Sequence, residues 1–157
     1  MEVSGKHIET QTEQRNLQEM KVHTTNYIDT FIEVADDCPT DISEMPKSKG
    51  ENKTVAEMQF ELIVKNPYKF TSDDVFFQVY ADRNDLTKSE YKAAREQFFS
   101  KGQPCFRASP LTKRFGFGVH CNKDGKVAIF GKETKEYQQF LNDTTIKKVK
   151  AMRTSKK

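Results

Sequence analysis

Apolar and polar positions first fall into a strand-like rhythm at Tyr27 to Val34, where β-branched and aromatic residues concentrate. Ile28, Thr30, Ile32 and Val34 share one face there. Upstream, residues 1–19 carry Val3, Ile8 and Leu17 as almost their only apolar groups and are expected to form a mobile extension. Downstream, residues 36–52 collect Pro, Asp, Ser, Lys and Gly and are expected to form a loop, with Pro39 and Pro46 lacking backbone donors. Thr54 and Glu57 form a capping box that opens a helix to about Lys65, ahead of Asn66-Pro67, with Val55, Met58 and Leu62 as its buried stripe. Thr71 to Asp74 supply a second helix start, after which Val75, Phe76, Val79 and Tyr80 recur on one helical face. The run to Ala81 also alternates as a strand would; the helix is favoured. Thr87 and Glu90 cap a third helix carrying Tyr91, Ala94, Arg95 and Phe98, which Gly102 stops.

From Pro104 the pattern changes to three short strand-like runs, CFRAS, RFGFGVHC and KVAIFG. Asn122-Lys123-Asp124-Gly125 is a turn signal that joins the last two into a hairpin. Lys132 to Leu141 and Thr145 to Met152 are amphipathic and predict one or two terminal helices, ahead of a frayed basic tail at 154–157. This order predicts an α+β fold: one domain over residues 20–153, a small antiparallel sheet with helices packed on one face.

Twelve Phe and five Tyr give this polar chain, 31% charged, enough anchors for one core. The reading is cytoplasmic: no run approaches the length of a membrane span, and the first residues lack the apolar centre of a secretory signal. Cys38, Cys105 and Cys121 are too few and too widely spaced for a disulfide framework and contain no C-x-x-C pair, so reduced thiols and no metal site are expected. The net charge of +3 hides a split. Residues 1–98 hold 12 basic and 19 acidic side chains, net −7, whereas residues 99–157 hold 14 and 4, net +10. The basic third either attracts anions or pairs with the acidic part of the same fold or of a second copy.

Along an extended Arg114 to Cys121, Phe115, Phe117, Val119 and Cys121 face one way, and Arg114, Gly116, Gly118 and His120 the other. The second face is either a floor that admits a ligand close to the backbone or, beside Val127 and Ile129, a seat for a closely packed helix. If Gln103 to Ser109 is a neighbouring strand, with Phe106 and Ala108 on one side and Cys105, Arg107 and Ser109 on the other, then Arg107, Ser109, Arg114 and His120 converge on an anion pocket. Cys105 and His120 are the candidates for a thiol and base pair, with no third group to orient them. Adjacent residues diverge, so Asp36-Asp37 and Asp73-Asp74 read as turn and cap residues and not as acid/base dyads. Gly116-x-Gly118 lacks the third glycine of a dinucleotide fingerprint, and no phosphate loop occurs. The basic tail IKKVKAMRTSKK makes nucleic acid conceivable as a partner, without a recognition motif.

The runs HTTNYIDTFIEVADDCP, NPYKFTSDDVFFQVYADRNDL, FFSKGQPCFRASPLTKRFGFGVH and KVKAMR resemble a family of small microbial proteins defined as a domain of unknown function, over about Met20 to Arg153. Members of that family begin near the HTTNY segment, so the first 19 residues depart from its pattern. The resemblance implies a single domain, supplies no activity, cofactor or site residues to carry over, and leaves function open. The expected function is a non-catalytic binding module for an anionic small molecule or phosphate-bearing partner. The alternatives are a small enzyme using His120 with Arg107 or Arg114, or a self-assembling domain that forms a homodimer through its two charge halves.

Overall fold

The computed structural model describes residues 22–154; the proposed extension at 1–19 and the last three residues of the basic tail lie outside them. The secondary structure runs β1 (Thr30–Glu33), α1 (Val55–Lys65), α2 (Ser72–Arg83), a 3-10 turn (Lys88–Glu90), α3 (Tyr91–Phe98), a second 3-10 turn (Phe106–Ala108), α4 (Pro110–Lys113), β2 (Phe117–Cys121), β3 (Val127–Gly131), α5 (Lys135–Asn142) and β4 (Lys147–Lys150). The fold is α+β, as the pattern predicts. Among the described residues no helix is long and apolar enough to cross a membrane.

The sheet order is β3-β2-β1-β4. β2 and β3 form the expected hairpin, closed where the Asn122 side chain accepts from the amides of Asp124 and Lys126 and Gly125 turns the chain at φ +77°. β4 replaces the helix expected at Thr145 to Met152 and pairs in parallel with β1, so the sheet is mixed. The reason is the route of the chain: α5 carries it from β3 at one edge across a sheet face to the other edge, which makes β4 run the same way as β3 and β1. The lysines of KKVK keep that open edge polar.

Both faces of β1 are covered. Ile32 and its cross-strand neighbour Val119 join Cys121 and Val127 in the main core, under α1, α2 and α4. Phe31 projects the other way, stacked on Phe140 of α5 with ring centroids 5.1 Å apart and edge-on to Tyr137 at 5.0 Å. The Tyr137 hydroxyl accepts from the Val34 amide at 2.8 Å.

The capping boxes predicted the helix starts. Thr54 accepts from Glu57 N, Thr71 and Asp74 cap each other reciprocally, and so do Thr87 and Glu90 ahead of α3. The buried stripe of α1 is Ala56, Gln59 and Ile63, one position round from the expected Val55, Met58 and Leu62. α2 is the favoured helix, yet its burial alternates: Val75 faces the main core, while Phe77 and Ala81 pack on Phe99 and the residues of α3. A helix buried on two sides has no single apolar stripe, which explains its strand-like pattern. The CFRAS run is not a strand. Phe106–Ala108 is a 3-10 turn leading into α4, where Ser109 caps the helix and Pro110 occupies its first turn.

Gly118 is where α5 meets the sheet. A methyl group there would lie 2.5 Å from the Phe31 ring and 2.6 Å from the Tyr137 ring, both buried. Gly118→Ala is therefore expected to lower the free energy of unfolding in urea by about 1–3 kcal/mol, the usual cost of overpacking. An unchanged midpoint would show that α5 does not need this close seat.

Candidate functional site

The residues expected to form an anion pocket are not brought together. Arg107 lies in the 3-10 turn, where its Nε donates to Lys150 O at 2.7 Å and its carbonyl accepts from Met152 N, so it holds the end of β4. Ser109 is buried as the cap of α4. Arg114 closes that helix with an exposed side chain. Gly116 sits at φ +79° against Thr40 and Ser43 of the long loop, and the space above Gly118 is filled by α5. Of the two readings left open for the glycine face, helix seating is the one this geometry fits.

His120 points to the α5 face. Its ring stacks on Phe140 at 4.2 Å, and Nδ1 lies 2.8 Å from the Tyr68 hydroxyl. Tyr68 itself adopts a left-handed φ of 59°, fixed by its amide donating to Val127 O. Cys105 lies on the opposite side of the sheet, its thiol 3.4 Å from the Tyr27 hydroxyl and close enough to Cys121 to affect its ionisation. The sheet separates Cys105 from His120, so they form no thiol–base pair. All three cysteines are free thiols, and burial pushes the Cys121 thiol up to about 12, which leaves it unreactive. Among the described residues no three His, Cys, Asp or Glu side chains are grouped to hold a metal ion.

The carboxylate pairs are structural. Asp73 receives Thr24 Oγ1, Thr25 N and Thr25 Oγ1, each at 2.7 Å, and so fastens the HTTN segment to the start of α2. Asp74 caps α2 and pairs with Arg95 at 2.9 Å. Asp36 pairs with Lys150, and Asp37 accepts from Thr154 N.

What the fold does build is a cleft of about 320 Å³ between α1, α2, the end of α3 and the second 3-10 turn. Val55, Phe76, Val79, Tyr80, Phe98 and Pro104 make its walls mainly apolar. Its floor holds one polar pair. Gln59 is only 2% exposed, and its Oε1 accepts from the Ser109 hydroxyl at 2.7 Å. At the rim stands Arg83, exposed and without an ion-pair partner among the described residues. Gln103 and Asn84 use their amide nitrogens on Phe98 O and Tyr80 O, which points their oxygens elsewhere as acceptors. Tyr80 and Phe98, with centroids 4.7 Å apart, separate this cleft from an adjoining one of about 450 Å³ that reaches Lys101. A further cleft of about 400 Å³ is lined by Asp74 and Arg95, whose charges already satisfy each other.

Gln59 and Arg83 carry no motif. Gln59 did leave a trace: it is the polar member of an Ala56, Gln59, Phe60, Ile63 stripe at helical spacing, a stripe otherwise apolar.

A family model described as a family of unknown function, DUF6157, matches residues 22–157. No curated protein and no solved structure matches the chain.

Burial lowers the His120 pKa, opposed by the nearby Asp143 and Asp29 carboxylates. A base whose pKa is lower folded than unfolded holds fewer protons in the native state, so stability falls as pH drops below the ordinary value of 6.5. Urea unfolding followed between about pH 7.5 and pH 5.5 is expected to show this fall, with a flatter slope in His120→Gln. Equal slopes in the two proteins would mean that His120 does not carry the effect.

Proposed function

We propose that this chain, which belongs to the DUF6157 family of unknown function, is a non-catalytic binding module that takes an anionic small molecule into the cleft between α1, α2 and the second 3-10 turn. The observation that carries this reading is a polar floor under an apolar cleft, with a cation at the mouth that has no ion-pair partner among the described residues. A cavity of about 320 Å³ is at the lower end of the size of small-molecule sites. Its aromatic and aliphatic walls favour an organic body, and Arg83 supplies a fork suited to a carboxylate or phosphate. Among the described residues no acid, base and nucleophile converge on it: Cys105 borders the cleft but is tied to Tyr27, and His120 is on the far side of the sheet. Binding without turnover is the function this arrangement supports.

Thermal unfolding with 3-phenylpropionate tests the reading. At a concentration a hundredfold above its Kd the acid contributes about 2.7 kcal/mol, a rise in Tm of roughly 5–10 °C for a domain of this size. Arg83→Glu is expected to abolish the rise while leaving the ligand-free Tm nearly unchanged, because the side chain is exposed. An equal rise with the uncharged amide of the same acid would remove the anion contact; no rise with either would remove the cleft as a binding site.

A further inference from the structure

We infer that the ligand of this cleft carries a hydrogen-bond acceptor at the pole opposite its negative charge, as an aryl acid bearing a carbonyl or a ring nitrogen does. The inference rests on the reading of the cleft given above and goes on to the chemistry of the ligand. Its basis is the orientation of one amide. Ser109 Oγ accepts from Leu111 N at 3.1 Å as the cap of α4, and its own proton goes to Gln59 Oε1 at 2.7 Å. That donation fixes the Gln59 oxygen toward Ser109 and turns the NH2 group away from it.

The nitrogen has no protein partner among the described residues, although the residue is only 2% exposed. No fully enclosed side-chain nitrogen or oxygen among the described residues lacks a partner, and Gln59 lines the cleft, so its nitrogen meets the cleft's interior. Burial sets the order of depth: the Gln59 donor at the floor, Phe76 and Val79 between, and exposed Arg83 at the rim. A ligand complementary to that order reads acceptor, apolar body, anion. An apolar group at the deep end would displace water from the amide and leave a buried donor unpaired, whereas a carbonyl replaces the lost hydrogen bond.

Two molecules of nearly the same shape and charge separate these cases: 4-acetylbenzoate, with a ketone opposite its carboxylate, and 4-isopropylbenzoate, with a branched alkyl group there. Isothermal titration of the full chain is expected to give a preference of about tenfold for the ketone, the effect of one hydrogen bond to a buried donor. In Gln59→Leu the preference is expected to vanish or reverse. Because that change also strips Ser109 of its acceptor, Gln59→Leu with Ser109→Ala supplies a second variant, and the preference of the unaltered protein is a readout that needs neither. Equal affinities would overturn this inference and leave the binding module standing, as would a ketone preference that survives loss of Gln59. If neither acid binds, the cleft reading falls and takes the inference with it.

Discussion

Everything in this fold answers to a four-residue strand that must be covered on both faces. Phe31 and Ile32 are adjacent, point in opposite directions and are both fully buried. One layer of helices cannot cover both. The main core takes Ile32 under α1, α2 and α4, and the crossing helix α5 brings Tyr137 and Phe140 over Phe31. That crossing has two structural consequences. It delivers the chain to the far edge of the sheet, where β4 can pair only in parallel with β1, and it demands a residue without a side chain at Gly118. The glycine face that resembled a ligand floor is thus filled by the same helix that completes the core.

Local chemistry was legible and long-range consequence was not. The helix caps at Thr54, Thr71 and Thr87 and the Asn122 to Gly125 turn are set by neighbours a few residues apart, and each is where its residues predict, although Glu57 does not return the bond to Thr54 that a full capping box would have. Nothing local marks β4 as a strand, because its four residues include three lysines and its partner β1 lies more than a hundred residues away. CFRAS departs from its strand-like pattern for a different reason. Ser109 caps α4 and Pro110 fills its first turn, so the chain before them is a turn, although Cys105, Phe106, Arg107 and Ala108 alternate as a strand would. The candidate pocket fell with that strand, since its convergence depended on a pairing that does not exist.

The charge split resolves in part within the molecule. The acidic loop between β1 and α1 meets the basic C-terminal third: Lys150 pairs with Asp36, Lys132 donates to Thr40 O, and Thr154 N donates to Asp37. Glu133, one of the few acids in the basic third, accepts from Ser43 in return. Apart from the part-buried Lys132 bond these contacts are exposed, so each of those adds little stability. Their effect is positional: they strap the loop against Gly116 and the strand ends, and they use charge that composition alone would assign to a partner.

The cleft stands apart from that strapping, and its floor is the place where the molecule departs from its own packing rule. On α1, Ala56 and Ile63 bury apolar surface, and a leucine at 59 would extend the same stripe into the core. Instead a glutamine is buried there with one half of its amide bonded to Ser109 and the other half turned to the cleft. A buried amide costs desolvation unless both halves are satisfied, so a half-satisfied one is a local conflict that packing does not explain. Such conflicts gather at sites where a group must be held ready for something outside the chain. Ser109 keeps the amide in one orientation, and Thr112 holds the turn beneath it by donating to Phe106 O at 2.5 Å. A floor so fixed is preorganised, and a ligand that meets it spends little of its binding energy on ordering the protein.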